Sequence, residues 1–200
     1  MPSSNPQPGR RERNKREKLE RIIAAASELF ATYGVDEVTT QQIADAADIA
    51  TGTLFLYAKS KSELLLMVQN HHYEKSLEQG FKAAQSAQNM VDAVMALLAP
   101  IIDCNRKHVG NGRVYLREMA FGDSAEPHHR EALRIAGLTE RAIAELLGAQ
   151  GNLEAPQAAI TARVITSIQF LAMAATPDPA VASAAVAQDM RAQIAAILPR

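Results

Sequence analysis

The feature that most constrains this chain is the stretch TTQQIADAADIATGTLFLYAKSKSEL at residues 39–64, because it contains two helix starts. Thr39 and Gln42 fit the capping-box pattern, in which a hydroxyl residue caps a helix and a Gln three positions later reaches back to it. Ser60 and Glu63 repeat the pattern. A further short helix is expected between them. The stretch therefore predicts two short helices joined by a tight turn, followed by the start of a third helix.

The turn between the two short helices is predicted at Asp48 and Ile49. Asp tolerates the positive φ that such a turn needs better than most residues do, and Ile49 is expected to pack beneath the turn. The next helix begins with Thr51, Gly52 and Thr53. Small polar residues let a helix approach DNA closely, and their hydroxyls can bind phosphate. The pattern is typical of a DNA-binding helix-turn-helix.

Residues 47–64 resemble the signature of the TetR family of transcriptional regulators, which is roughly A-G-V-S-x-G-T-L-Y-x-Y/H-F-x-x-K-x-x-L. The resemblance covers about residues 15–66. The chain departs from the signature at four positions, where it has Asp48 for the turn Gly, Ala50 for the capping Ser, Phe55 for Tyr and Ala58 for a core aromatic residue. Because Ala50 has no capping side chain, Thr51 is expected to cap the recognition helix.

The N-terminal region is polar and Pro-rich, and then strongly basic. We predict a disordered basic arm at residues 1–13 that grips phosphates or the minor groove. The alternative is a solvated helix start. Apolar residues at helical spacing predict an amphipathic helix over residues 14–33, which Gly34 ends in the αL conformation. We assign residues 14–60 to a three-helix helix-turn-helix DNA-binding domain.

The remaining residues, 61–200, are predicted to form a helical ligand-binding and dimerisation domain. The predicted helices cover residues 60–84, 90–107, 113–121, 127–147, 158–175 and 180–198, with breaks at Asn111-Gly112 and at 148–156. The fold class is therefore all-α with about nine helices, the number that the TetR resemblance implies. The same resemblance implies that the last two helices, which are rich in Ala, Ile and Val, pair with their twins in a homodimer. An ordinary hairpin within one chain is the alternative.

Composition indicates the compartment and excludes several kinds of site. A single cysteine, Cys104, rules out an internal disulfide and fits a reducing cytoplasm. No apolar run approaches the roughly 18–20 residues of a membrane span, so a cytoplasmic protein without a membrane partner is expected. Adjacent histidines on a helix diverge, so His71-His72 and His128-His129 are not expected to bind a metal. No cofactor is expected.

The residues predicted to contact DNA are Thr40, Gln41, Gln42, Thr51, Gly52, Thr53, Phe55, Tyr57 and Lys61. Of these, Thr40, Tyr57 and Lys61 are expected to bind phosphates and set the register. The side chains expected to face base edges are those of Gln41, Gln42, Thr51 and Phe55, together with the backbone at Gly52. Two-fold symmetry would place two recognition helices on successive major grooves, so a near-palindromic double-stranded DNA operator is expected.

The central helices offer candidates for an apolar ligand cavity, since methionine and aromatic side chains suit adaptable pockets. The residues predicted to bind a ligand are Met67, Tyr73, Met95, Cys104, Tyr115, Met119 and Phe170, with Met90, Phe121 and Met173 as further candidates. Each of these residues also suits an ordinary core position.

Together these patterns predict a dimeric transcriptional repressor that releases its operator when a small apolar effector moves the helix beginning after Ser60. Control by a protein partner, or activation instead of repression, are the alternatives. An enzyme is not expected, because the sequence has no phosphate-binding loop, metal-ligand spacing or nucleophile elbow. A Cys104–His108 pair at i,i+4 would share a helix face, but a buried structural cysteine is the favoured interpretation.

Overall fold

The computed structural model describes residues 9–151 and 153–198, and these residues form nine α-helices and no strand, as the sequence predicts. The helices are α1 (Arg10–Tyr33), α2 (Thr40–Ala46), α3 (Thr51–Leu54), α4 (Lys61–Ala84), α5 (Met90–Arg106), α6 (Val109–Phe121), α7 (Pro127–Gly151), α8 (Ala155–Ala174) and α9 (Ser183–Ile197).

The first four helices enclose a small hydrophobic core. Ile22, Ala26 and Phe30 of α1 are buried against Ile43 of α2 and Leu54 of α3. The other buried members include Val38, Ala58, Leu64, Leu65, Met67 and Val68. A small residue, Ala58, is buried in this core at the position where the TetR signature has an aromatic side chain.

A second, larger core joins α4 to α5–α9. Leu66, Tyr73 and Leu77 of α4 pack there with apolar side chains of the later helices, such as Leu98 and Ile143. The helix α4 thus contributes to both cores, and its consecutive residues Leu65 and Leu66 are buried in different ones.

The N-terminal helix begins earlier than predicted. The carbonyl of Gly9 accepts the backbone N–H groups of Glu12 and Arg13 at 2.9 and 3.1 Å, so α1 starts at Arg10. Residues 10–13 are therefore helical, and the prediction of a disordered arm was wrong for them because good helix formers follow Gly9 directly. Residues 1–8 of that predicted arm lie outside the described residues. The helix ends at Gly34, whose φ of 81° is positive, but its ψ of 157° lies outside αL, in a region that essentially only Gly adopts.

The predicted break at Asn111-Gly112 is also wrong, because both residues lie inside α6. His108 caps this helix, with its Nδ1 accepting the Asn111 N–H at 3.2 Å. Gly112 is required by packing, since a Cβ there would lie 2.3 Å from the backbone carbonyl oxygen of Asn105.

The ends of three later helices differ from prediction. The helix α7 was expected to stop at Leu147 but continues to Gly151, with Gly148 inside it. The helix α8 begins at Ala155, with Pro156 in its first turn. Proline is tolerated there because the backbone N–H groups of a first turn have no partner within the helix. The last helix begins at Ser183, three residues later than expected. Within the described ranges, no helix is long and apolar enough to cross a membrane.

Replacement of Gly80 by Ala tests the close approach of α4 and α5. A Cβ at this position would lie 2.2 Å from the carbonyl oxygen of Leu97. We expect Gly80→Ala to lower the free energy of unfolding by about 1–3 kcal/mol. The clash is with the backbone of Leu97, which cannot move aside as easily as a flexible side chain can. Gly137→Ala in α7 is the matched control, since nothing lies within 4 Å of its added Cβ.

The control should raise stability by up to about 1 kcal/mol, the usual gain for Ala over Gly inside a helix. Urea unfolding followed by circular dichroism measures both variants. Equal effects at the two positions would contradict the packing argument.

Candidate nucleic-acid interface and effector cavity

The turn between α2 and α3 has the predicted geometry. Asp48 adopts a φ of 53°, and it is the one non-glycine residue with positive φ in the described part of the chain. The N–H of Ile49 donates to the carbonyl of Ala44 at 3.0 Å, and its side chain packs against the first core. Arg21 lies 3.3 Å from the Asp48 carboxylate in an exposed ion pair, which contributes little. The half-buried Ile49 and its backbone bond therefore stabilise the turn more than this exposed ion pair does.

The start of the recognition helix α3 is not capped as predicted. Ala50 is the N-cap residue and makes no side-chain hydrogen bond. Thr51 is the first residue inside the helix, so its hydroxyl is not in the capping position, and it donates to Gln41 Oε1 at 2.5 Å. The Gln41 Nε2 group donates onward to Asp45 Oδ1 at 2.7 Å. The predicted Thr51 cap is thus replaced by a bond that fixes α3 against α2.

The second glutamine, Gln42, completes the predicted capping box. Its Oε1 accepts the backbone N–H of Thr39 at 2.8 Å, and its own N–H donates to Thr39 Oγ1 at 3.2 Å. The amide groups of Gln41 and Gln42 are therefore both used within the helix-turn-helix. A base contact by either residue would compete with an intrachain hydrogen bond.

The residues predicted to contact DNA all lie on α2, on α3 and its following turn, or on the first residue of α4. Gln41, Gln42, Gly52 and Phe55 are exposed, whereas Thr40, Thr51, Thr53, Tyr57 and Lys61 are half-buried. Leu56, which is absent from the predicted DNA contacts, is 83% exposed directly after Phe55. The consecutive large residues Phe55-Leu56-Tyr57 could have indicated this exposure, because a helix cannot bury three successive side chains on one face.

Two predicted phosphate-binding residues also hold the domain together. The hydroxyl of Tyr57 donates to the carbonyl of Lys15 at 3.4 Å, and Lys61 Nζ donates to the carbonyl of Asp36 at 3.0 Å. Lys61 therefore has an intrachain partner that its position at a helix start did not suggest. Several basic residues of α1 are exposed, namely Arg10, Arg11, Arg13, Lys15, Arg16 and Arg21.

The start of α6 clamps the end of α1. Asn111 Nδ2 donates to the carbonyl of Phe30 at 2.7 Å, and Asn111 Oδ1 accepts the N–H of Val35 at 2.8 Å. A Cβ on Gly34 would lie 3.0 Å from His108 Cε1, so glycine is required there by both its positive φ and the lack of space.

The start of α7 contacts the segment between α3 and α4. The His128 Nε2 group lies 2.8 Å from the carbonyl of Tyr57, to which it must donate, and Lys59 Nζ lies 2.9 Å from Glu126 Oε1. Glu63 is buried beside this contact, and its Oε2 has no hydrogen-bond partner. Burial raises the pKa of the Glu63 carboxyl, an effect that the nearby His128 opposes.

The paired histidines make separate contacts. His72 Nε2 lies 3.1 Å from Ser27 Oγ, and His129 Nε2 lies 3.1 Å from the carbonyl of Met119. Among the residues that the structure describes, no three His, Cys, Asp or Glu side chains are grouped so that they could hold a metal ion.

A cavity of about 520 Å³ lies within the second core. Its walls are mostly apolar and include Tyr73, Ile101, Tyr115, Leu116, Met119, Ala132, Ile135, Phe170 and Met173. Gln169 is 6% exposed and lines the wall, and its amide makes no hydrogen bond within the described ranges. Arg163, which also lines the cavity, is exposed and lies 3.3 Å from Glu140. The cavity is thus mostly apolar, with the Gln169 amide among its few inner polar groups and an ion pair at its exposed rim.

The structure brings four residues predicted to bind a ligand, Tyr73, Tyr115, Met119 and Phe170, to this cavity, together with Met173. The other three predicted residues lie elsewhere. Met67 is buried in the first core, and Met95 packs in the second core away from the cavity wall. The α4 helix presents different faces to the two cores, which sequence position alone did not reveal for Met67.

The third of these residues, Cys104, lines a separate small cavity of about 70 Å³ beside His72 and His108. Burial raises the pKa of its thiol, which favours the unreactive protonated form. Of the further candidates, Phe121 is 85% exposed and Met90 packs at the edge of the second core.

Comparison with known proteins identifies the helix-turn-helix. Residues 22–68 match the model of the bacterial regulatory proteins of the tetR family. The match covers the helix-turn-helix and the start of α4, so this part of the chain is similar to TetR-family regulators. The match agrees with the interpretation of residues 39–64 as a helix-turn-helix.

Two curated TetR-type relatives match in sequence. TcmR of Streptomyces glaucescens, an HTH-type transcriptional regulator, is 27% identical over 159 residues, which are 78% of this chain and 63% of TcmR. YuxN of Bacillus subtilis, described as an uncharacterised HTH-type transcriptional regulator, is 38% identical over 61 residues, which are 30% of this chain and 21% of YuxN. The chain therefore spans less than two thirds of either relative.

Solved TetR-family structures share the whole fold. The transcriptional repressor FadR of Thermus thermophilus, in complex with lauroyl-CoA, matches with a TM-score of 0.71 at 23% identity, covering 91% of this chain and 96% of FadR. A TetR regulator from Rhodococcus sp. RHA1 matches with a TM-score of 0.72 at 20% identity, covering 92% of this chain and 96% of that protein. At such identities the similarity establishes the fold alone.

Substitution of Asp48 tests the cost of the unusual turn residue. We expect Asp48→Gly to raise the free energy of unfolding by roughly 0.5–1 kcal/mol, because Gly adopts positive φ without a Cβ penalty. Asp48→Ala should lower it by about 1 kcal/mol, since Ala retains the penalty without aspartate's local hydrogen bonding. Chemical unfolding gives both values. If Asp48→Gly proved as destabilising as Asp48→Ala, the ion pair with Arg21 would be the dominant contribution instead.

Proposed function

We propose that this chain is a dimeric transcriptional repressor of the TetR family that binds a near-palindromic operator and releases it when a small, largely apolar effector enters the cavity. The observation that carries the proposal is the helix-turn-helix, in which α3 is held against α2 while its outer surface remains exposed. A helix presented in this way can enter a major groove.

The DNA contacts follow from the arrangement of charge and exposure. The exposed basic residues of α1 provide phosphate contacts on one side of the motif, and Lys61 provides one on the other. Gly52 has no atom within 4 Å of an added Cβ, so the N-terminal part of α3 faces open space. Phe55 and Leu56 can contact thymine methyl groups, while Gln41 and Gln42 read base edges if they exchange their intrachain bonds.

Dimerisation is supported by apolar side chains on the last two helices. Ile160, Val164 and Leu171 of α8 are exposed, as is Ile197 of α9, although each helix also buries a separate apolar face within the chain. Exposed apolar surface on neighbouring helices is typical of an association site. A two-fold dimer through α8 and α9 would bury these residues and give the DNA-binding domains the symmetry of a palindrome.

The effector is inferred from the cavity. Its volume of about 520 Å³ lies within the usual range for small-molecule sites. Gln169 offers a neutral donor and acceptor inside it, and Arg163 can meet an anionic group at the rim. The cavity favours a small-molecule effector over a protein partner. The FadR neighbour, which binds lauroyl-CoA, supports a ligand with a long apolar part and a polar end.

Lys61→Ala tests the phosphate role once an operator has been selected by the pure protein from random double-stranded DNA. A palindromic selected site is expected. The variant should weaken binding at every salt concentration and reduce the slope of log affinity against log salt by about 1, because one phosphate contact is lost. Lys82→Ala, an exposed lysine in the last turn of the same helix, should leave the slope unchanged.

Arg11→Ala on α1 should reduce the slope similarly without disturbing the bond between Lys61 and Asp36. A wild-type protein that is folded but selects no site would refute operator binding.

Gln169→Leu tests the cavity as the effector site. With lauroyl-CoA and 1-dodecanol as probes, we expect the variant to weaken binding by roughly ten-fold, because a buried polar ligand group would lose its partner. Gln157→Leu places the same substitution at an exposed position of α8 and should have no effect. Calorimetry measures both. Binding of both probes that is insensitive to Gln169 would exclude the cavity wall at Gln169 as their site, and no binding of either probe would exclude this ligand class.

A further inference from the structure

We propose that Asn70 and His128 are positioning residues that connect the cavity to the C-terminal end of the recognition helix through a continuous chain of hydrogen bonds. The inference rests on the proposed function, because it concerns how the occupied cavity alters DNA binding. It assigns that role to the start of α7, in addition to any movement of α4.

The chain begins at the cavity wall. Tyr115 is buried with its ring on the wall, and its hydroxyl donates to Asn70 Oδ1 at 2.9 Å. The Tyr115 ring stacks on that of Tyr73, with 4.6 Å between ring centroids, and Tyr73 also lines the cavity. A ligand that displaces this stacked pair must therefore move the Tyr115 hydroxyl, which donates a hydrogen bond to Asn70 Oδ1.

The next step crosses from α4 to α7. Asn70 is 4% exposed, and its Nδ2 donates to the backbone carbonyl of His128 at 2.9 Å. Both ends of the Asn70 amide are thus engaged, one by the cavity wall and one by the first turn of α7. Because a buried amide group without a partner is costly, a rotation that breaks one bond favours rearrangement of the other.

The last step reaches the recognition helix. His128 Nε2 donates to the carbonyl of Tyr57 at 2.8 Å, in the turn that follows α3. A second contact joins the same two regions, since Lys59 Nζ, between α3 and α4, lies 2.9 Å from Glu126 Oε1, directly before α7. The first turn of α7 therefore holds the segment that sets the direction of α3 relative to α4.

The contact between the first turn of α7 and the segment after α3 can also rearrange, because its buried polar groups are not all hydrogen-bonded. Glu63, 6% exposed, faces Glu126, His128 and His129, and one oxygen on each carboxylate lacks a hydrogen-bond partner. Burial raises the pKa of Glu63, consistent with this incomplete solvation. A partly satisfied buried network differs little in free energy from alternative pairings, so a small displacement of α7 can shift its arrangement.

The cavity acts on α7 at a second point. Ala132 and Ile135 of α7 line the cavity, one to two turns beyond His128. A ligand that presses on this part of α7 moves the same first turn that Asn70 and His128 connect to α3. The cavity wall and the hydrogen-bond chain thus both act on the first turns of α7.

The test combines Tyr115→Phe with His128→Ala in the full-length protein. Each single variant should raise hydrogen exchange of the backbone amides at residues 55–60 and weaken operator binding roughly ten-fold, while the double variant should be no weaker than either one. Such non-additivity is expected only if both residues act through one chain. His128→Gln retains a donor near the Nε2 position and should restore binding.

Tyr73→Phe is the matched control. It removes a hydroxyl from the other ring of the stacked pair, which accepts from Asn105 Nδ2 at 2.7 Å and lies outside the chain. We expect exchange at residues 55–60 to remain unchanged in this variant. Thermal midpoints, measured in parallel, separate a general loss of stability from the local effect.

Additive effects of Tyr115→Phe and His128→Ala, or exchange at residues 55–60 that responds to His128→Ala but not to Tyr115→Phe, would overturn the inference. Hydrogen exchange requires no DNA, so it tests the chain of contacts even if no operator is found. A protein that shows the expected exchange but selects no DNA site would refute the proposed function and leave the connection between cavity and α3 established.

Discussion

The burial of α4 in two hydrophobic cores is the constraint on which the rest of the structure depends. Leu65 is fully enclosed among the DNA-binding helices, while the next residue, Leu66, is enclosed among the later ones. A rigid helix shared in this way prevents either core from shifting without displacing side chains in the other, since close-packed interiors deform in discrete steps. Gly80 allows α5 to lie directly against this helix, so the coupling extends into the second core.

The parts of the fold that local chemistry determines were predictable from sequence. The capping residues Thr39 and Ser60 mark the starts of α2 and α4 as expected, and Asp48 adopts the positive φ inferred for it. Predictions failed where distant contacts override local preference. Gly112, which signals a break, is inside α6 because the backbone of Asn105 requires a residue without a side chain there. Likewise, the hydroxyl of Thr51 bonds to Gln41 across the turn instead of capping its own helix.

The candidate sites divide in the same way. The residues predicted to contact DNA lie together because they are close in sequence, so their shared surface could be predicted even though the intrachain bonds of Gln41 and Gln42 could not. The cavity brings together residues from five helices, from Tyr73 to Met173. Residue type singled out its aromatic and methionine side chains but not Gln169. The contact of Asn70 with His128 joins residues that are 58 positions apart, and nothing in the pattern around either residue indicates it.

The extent of the family match has a physical counterpart. The match ends at residue 68, and Val68 is also the last residue of α4 in the first core. A domain that must fit a major groove has its helices and core fixed by the dimensions of DNA, whereas a cavity need only match its own ligand. Two contacts that connect these regions, those of His128 and Asn111, begin on helices beyond the matched residues and end on backbone groups of the DNA-binding domain. The partners of His128 and Asn111 in this domain are main-chain groups of Tyr57, Phe30 and Val35. Main-chain partners allow such a connection to form without demanding particular side chains from the DNA-binding helices.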